Sequence, residues 1–196
     1  MTLDERLPFF ILLATFPVAI AWYYFSGRLG QFHWTPLLTA ATLAASGLLL
    51  WFFDSFSRKN KKMLDWTGGS AFFVGIFQLG ALIPGCGRQT AALSASLLRN
   101  YSREAGARFA FFAAAPLLAA SAYLHLRGVS LHLPEPALDL SWLSFSVAII
   151  VSFFSGLLAI GGFMKHIQNK GMGQYAIYRL LLAAAVGIAY WIKTRA

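Results

Sequence analysis

The sequence predicts an all-α protein, a polytopic membrane helix bundle with about five spanning helices and one re-entrant helix hairpin. Three observations predict it. The 196 residues are 58% hydrophobic and only 12% charged, about half the charge of an ordinary soluble domain, so there is too little polar surface to cover a globule in water. Five apolar runs have the length a bilayer requires. A further apolar stretch, residues 69–98, is broken in its middle by "PGCGR".

A helix crossing the hydrocarbon needs about 20 apolar residues at 1.5 Å each. Residues 7–25, 36–53, 107–125, 141–164 and 174–192 meet that requirement. Trp22, Trp34, Trp51, Trp142 and Trp191 stand near their ends, where an indole is at home between lipid and water. The first run follows an n-region that is acidic as well as basic and has no small-residue cleavage site, so it reads as a retained helix rather than a secretory signal. None of the polar connectors is long enough for a separate soluble domain, and residues 1–196 read as a single integral membrane domain.

The net charge of +9 is scattered through short loops. That pattern suits anionic headgroups and topology setting and speaks against a nucleic-acid partner. One cysteine allows neither an intrachain disulfide nor a cysteine-based zinc site.

Residues 69–98 contain about 15 apolar residues and then about 10, each too few for a ~30 Å core. They form either one long kinked span or two half-helices that enter and return. Loop charges choose the second. With a hairpin, Arg6, Arg58, Lys59, Lys61, Lys62, Arg99, Arg103, Lys165 and Lys170 fall on one side, and Arg28, Arg127, Lys193 and Arg195 with Glu135 and Asp139 on the other. With a single crossing that positive-inside asymmetry largely disappears.

Pro84 and Gly85 to Gly87 suit a tight tip. Irregular backbone at membrane depth persists only where it is buried in protein or lines a cavity. Arg88, Gln89 and Thr90 would open the second half-helix, with free N–H groups and the positive dipole end at the tip. A guanidinium beside such a helix start suits a phosphate, which it can grip with two hydrogen bonds. Arg88 is therefore the candidate phosphate clamp, assisted by Gln78, Pro84, Gly85, Cys86, Gly87, Gln89 and Thr90. In the alternative, Arg88 snorkels to the interface or pairs with Glu104.

Other signals are weaker. His33, His125, His132 and His166 lack metal-ligand spacing, although His125 and His132 share one loop with Glu135 and Asp139, which leaves a weakly signalled metal site there. Cys86 reads as a small turn residue before it reads as a nucleophile. Arg103 and Glu104 could steer an anion or join an exposed network with Arg99 and Arg108. Arg179 could reach a headgroup or cap a neighbouring helix. Gly156, Gly161 and Gly162 suit close helix packing.

"GIFQLGALIPGCGRQTA" followed by "SREAGARFAFFAAAPLLA" resembles the second half of the undecaprenyl-diphosphate phosphatases, the bacitracin-resistance family. "SGLLAIGGFMKHI", "YAIYRLLLAAAVGI" and residues 10–53 resemble the family's other helices, so the likeness covers nearly the whole chain. The resemblance implies an inverted repeat with re-entrant hairpins, a bacterial cytoplasmic membrane location, and hydrolysis of undecaprenyl diphosphate to the monophosphate. Pro84, Gly85 and Arg88 occupy positions of the family's Pro-Gly-x-Ser-Arg-Ser-x-x-Thr motif. Gly87 and Gln89 replace its serines, and Ala92 its threonine. The first repeat's Glu-x-x-x-Glu run and Ser-Ser-Thr-Gly-His segment do not occur.

The resemblance therefore implies a short member lacking the N-terminal third. Hydrolysis then calls on another subunit of a homo-oligomer, a partner chain, or a divalent cation. An antiparallel dimer would rebuild the inverted repeat, but the charge bias favours one orientation. A polyprenyl-phosphate carrier or flippase and a structural membrane subunit are the alternatives.

Overall fold

The computed structural model describes residues 3–29, 35–132, 142–169 and 171–195. Among them the chain forms seven α-helices and no named strand: α1 (Leu3–Leu29), α2 (Pro36–Phe56), α3 (Gly68–Phe77), α4 (Arg88–Leu98), α5 (Arg103–His132), α6 (Trp142–Asn169) and α7 (Gly173–Arg195). The five long ones, α1, α2, α5, α6 and α7, are apolar and long enough to cross a membrane. All five run past the expected spans at their C-terminal ends, and α1, α5 and α7 at their N-terminal ends as well, because helical hydrogen bonding continues into the polar flanks after the apolar signal stops.

The core is narrow. Phe10 and Ala14 of α1, Ala71 and Val74 of α3, Ala92 and Ala95 of α4 and Phe109 and Ala113 of α5 pack in one cluster. Small residues dominate because apolar burial gives no drive in lipid, so close backbone approach and dispersion hold the helices. At Gly75 an added Cβ would sit 2.5 Å from the Ala14 carbonyl oxygen, so α1 and α3 touch backbone to backbone. Large apolar side chains such as Phe153, Leu157 and Leu181 face outward. Trp22, Trp51 and Trp191 are exposed as well, whereas Trp34 and Trp142 lie outside the described side chains. Gly156, Gly161 and Gly162 have nothing within 4 Å of an added Cβ. Among the described residues they do not make the close packing expected of them, because α6 meets the rest of the bundle through Phe163, Met164 and Ile167, past these glycines.

The segment 69–98 turns back on itself. The Lys61 amide donates to the Asn100 carbonyl at 3.0 Å, and the Ser102 amide to the Lys61 carbonyl at 2.8 Å. The Tyr101 hydroxyl donates to the Asp65 carbonyl at 2.9 Å. Trp66 is stacked between Tyr101 and Phe109, with ring centroids 4.0 and 3.8 Å away. Entry and exit are thus stitched together, and α3 and α4 pack side by side between them. Each is short for a reason of sequence. Thr67 caps the start of α3 by accepting from the Ser70 amide at 3.3 Å. Its far end tightens into a 3₁₀ turn, Gln78–Leu82, and Pro84 then stops it.

The same end of the bundle holds a buried ion pair. Asp54, 5% exposed at the end of α2, accepts from Arg103 Nε at 2.6 Å and Nη2 at 2.9 Å and from the Met172 amide at 3.1 Å. Lys59 Nζ lies 3.5 Å from it and also donates to the Asp54 carbonyl. Asp54 thereby ties α2, α5 and the start of α7 together. Glu104 instead pairs with Arg108 at 2.6 Å on the surface, and Arg99 reaches Ser70 and lies over Phe73. Arg103 and Glu104 are engaged within the protein rather than poised to steer an anion.

Removing Asp54 leaves a partly buried guanidinium unpaired, a defect that typically costs about 3 kcal/mol. Asp54→Ala is expected to lower the thermal unfolding midpoint in detergent clearly, while Glu104→Ala, which breaks an exposed pair, leaves it nearly unchanged. Equal midpoints for the two variants would contradict this account.

Candidate functional site

Between Gln78 and Thr90 the chain makes a tip that ordinary membrane packing does not require. After the 3₁₀ turn the Cys86 amide donates to the Ile83 carbonyl at 3.2 Å. Gly85 and Gly87 take φ of 92° and 73°, a region that favours glycine. Space enforces the same choice at Gly85: an added Cβ would stand 2.5 Å from Thr42 Oγ1 and 2.6 Å from the Thr39 carbonyl oxygen. The tip is pressed into α2.

The carbonyl groups of Pro84, Gly85 and Cys86 are claimed by side chains. Thr42 Oγ1 donates to the Pro84 carbonyl at 2.5 Å, and Ser46 Oγ to the Gly85 carbonyl at 3.3 Å. Arg179 of α7 donates to the Cys86 carbonyl at 3.1 Å and the Gly85 carbonyl at 3.4 Å. Ser46 is the central residue of α2, Pro36–Phe56. Its distance from either helix end is about 15 Å at 1.5 Å per residue. The tip therefore meets α2 halfway along a helix of membrane-crossing length.

What the tip retains is donors. α4 begins at Arg88 with Gly87 as its N-cap, and no side chain caps it. The first intrahelical bond is Ala91 N–H to the Gly87 carbonyl, which leaves the N–H groups of Arg88, Gln89 and Thr90 without a helical partner. Arg88 is half-buried, and its Nε has no hydrogen-bond partner. Gln78 is 1% exposed, and both polar atoms of its side chain are unpartnered. Its 3₁₀ turn packs against α4. Buried polar atoms left this way are costly, and three such atoms cluster on two neighbouring segments.

Pro84 to Thr90 thus share one turn, and Gln78 lies on the segment that folds against it. Gln89 points elsewhere: it lines an apolar cavity of about 240 Å³ with Leu93, Ala107, Ala110, Phe111 and Phe163. Cys86 is half-buried and unbonded through sulfur. Arg88 is not on Glu104, which Arg108 occupies. Sequence reasoning left the role of Arg179 open. Its anchoring of the tip was hidden because it acts across about 90 residues of chain, and only the basic residue inside an apolar helix gave a sign of it.

Among the described residues no three His, Cys, Asp or Glu side chains are placed to hold a metal ion. The tip's own set of guanidinium, amide and hydroxyl groups is suited to an anion rather than a cation. The suggested cluster of His125 and His132 with Glu135 and Asp139 lies outside the described side chains, as does His33. His166 sits edge-on to Tyr175.

Comparison with known proteins gives this geometry its context. Residues 2–185 match the family described as bacitracin resistance protein BacA. The chain belongs to the BacA family. It is 34% identical over 184 residues to an undecaprenyl-diphosphatase of Aliivibrio salmonicida, covering 93% of this chain and 67% of that protein. It is 32% identical over 190 residues to an undecaprenyl-diphosphatase of Moorella thermoacetica, covering 97% of this chain and 70% of that one. It is 31% identical to undecaprenyl-diphosphatase 2 of Stutzerimonas stutzeri. With its long apolar helices, this BacA chain is a multi-pass membrane protein.

The tip geometry fixes an expected outcome. Gly85→Ala must push a methyl group into α2 from a strained backbone and should cost about 1–3 kcal/mol. Gly69→Ala, whose Cβ meets nothing within 4 Å in α3, should be neutral or slightly stabilising. Thermal unfolding of the two variants in detergent checks the contrast, which reversed stabilities would refute.

Proposed function

We propose that this chain, as a single integral membrane domain of the bacterial cytoplasmic membrane, binds undecaprenyl diphosphate at the Pro84–Thr90 turn and hydrolyses it to the monophosphate. The observation that carries the proposal is the set of unpartnered donors at a tip set halfway along α2: Arg88 Nε, the first-turn amides of α4 and the Gln78 amide. A diphosphate is the ligand that suits them. Its oxygens accept from a guanidinium in pairs and from a helix N-terminus along its dipole. Developing charge in phosphoryl transfer is stabilised by donors already fixed in place.

The lipid portion has a neighbouring place to lie. An apolar groove of about 620 Å³ runs between α1 and α3, lined by Phe16, Pro17, Ile20, Tyr24, Phe72 and Leu79. Leu79, the residue after Gln78, lines it, so the groove reaches the 3₁₀ turn that packs against α4. The names of the relatives support undecaprenyl diphosphate as the substrate.

Arg88 is assigned the clamp, Gln78 and Thr90 hydrogen bonds to phosphate oxygens, and Pro84, Gly85, Cys86 and Gly87 the shape of the turn. Gln89 is assigned to the tail side, given the cavity it lines. None of these side chains serves as a base at neutral pH. Activation of the attacking water is therefore assigned to a group beyond the tip, on a second copy or partner chain, or to a divalent cation that arrives with the diphosphate.

Phosphate release from undecaprenyl diphosphate, measured with and without divalent cations, tests the reading. Arg88→Ala should reduce release by about 100-fold or more, as loss of a transition-state donor typically does. Wild-type protein that binds the lipid without releasing phosphate would instead be a carrier.

A further inference from the structure

Arg88 is one of two guanidinium groups at the tip. Arg179 reaches it from α7 with a different set of contacts. Its Nη1 donates to Ser46 Oγ at 2.6 Å and to the Gly85 and Cys86 carbonyls, and its Nη2 donates to Thr90 Oγ1 at 2.5 Å. One planar fork thus joins α7, the middle of α2, the tip and the first turn of α4. No carboxylate lies within ion-pair distance of Arg179 or of Arg88 among the described residues. Among the described residues the tip thus holds two guanidinium groups and no carboxylate.

We propose that Arg179 is a positioning residue of the anion site: it locks the hairpin tip against α2 and α7 and sets the Thr90 hydroxyl as a donor to the bound phosphate. Both halves follow from the hydrogen bonds. The tip carbonyls would point negative dipoles at an anion, and Arg179 with Thr42 and Ser46 engages them from the α2 and α7 side. The Thr90 oxygen accepts from Nη2 and makes no other hydrogen bond among the described residues. Its own proton is left to donate, and acceptance from a cation polarises it further.

The position of Gly87 agrees with this. A Cβ there would lie 2.9 Å from Arg179 Nη2 and 3.6 Å from Thr90 Oγ1. The guanidinium occupies the room a side chain at 87 would need, so the hydroxyl of this turn comes from Thr90 one helical turn on. The tip lock stands on contacts alone, whereas the donor role of Thr90 rests on the phosphate-binding reading above.

The single cysteine of the chain, Cys86, reports on the lock without any ligand. Full-length protein in detergent is labelled with N-ethylmaleimide, and folding is checked by elution and unfolding midpoint. In Arg179→Gln the labelling rate of Cys86 should rise about fivefold or more, because local opening replaces the locked state. Ser46→Ala, a milder change, should raise it in the same direction and serves if Arg179→Gln does not fold. Arg179→Lys keeps the charge without the fork and should fall between the parent and Arg179→Gln, while Arg88→Gln leaves the rate unchanged. Folded Arg179→Gln or Ser46→Ala that labels at the parent rate overturns the lock, whatever the substrate.

Thr90→Val preserves shape and three of the four Arg179 contacts, so labelling should change by less than about twofold. Its affinity for undecaprenyl diphosphate should nonetheless fall about tenfold, the range expected for one charge-assisted hydrogen bond. Parental affinity in Thr90→Val overturns the donor role. Parental affinity in Arg88→Ala overturns the proposed function while leaving the labelling result intact.

Discussion

The hairpin exists only because its tip is satisfied by protein. Backbone carbonyls of Pro84, Gly85 and Cys86 sit level with the middle of α2, where lipid offers no hydrogen bonds. Each finds a donor on α2 or α7: Thr42, Ser46 or Arg179. An unsatisfied carbonyl in such surroundings costs several kcal/mol, so these side chains decide whether a turn can stand at that depth at all. Gly85 is then fixed by contact, since the close approach that makes those bonds leaves no room for a Cβ.

The two ends of the bundle spend polar groups differently. At the entry of the hairpin, Asp54, Arg103, the Met172 amide and Lys59 pair with one another, and Lys61, Asn100 and Ser102 are joined through their backbones. The carboxylate there is shared by two cations, and its role is structural. At the tip, cations meet no carboxylate among the described residues, and the side chain of Gln78 and Arg88 Nε are left unpartnered in a buried place. Unpartnered buried atoms occur at the entry too, on Ser57 and Trp66, but only at the tip do they include a guanidinium nitrogen and both polar atoms of a buried amide side chain. The proposed lipid diphosphate is a ligand of the kind that would meet the need of such donors.

Helix packing follows from the solvent. With lipid on the outside, the core consists largely of Ala, Gly and Ser with a few rings, and most large apolar residues face outward. Trp66 is among the exceptions, wedged between Tyr101 and Phe109 where the hairpin enters and leaves. It anchors the closure that loop charge alone had suggested.

Helical class, the number of long spans and the existence of a built turn at "PGCGR" were determined by the sequence itself. Length and hydropathy answer directly to the thickness and dielectric of a bilayer, and Pro and Gly answer to backbone sterics. The positive-inside bias also sufficed to favour a hairpin over a kinked span, because charge sorting is a property of loops and not of contacts. Tertiary structure alone decided which cations are committed. Arg88 and Arg179 are both basic residues in apolar surroundings, and no local pattern distinguishes the guanidinium that meets four protein oxygens from the one whose Nε meets none. That difference comes from side chains on α2 and α7 that are remote in sequence and reach the tip only when the bundle closes.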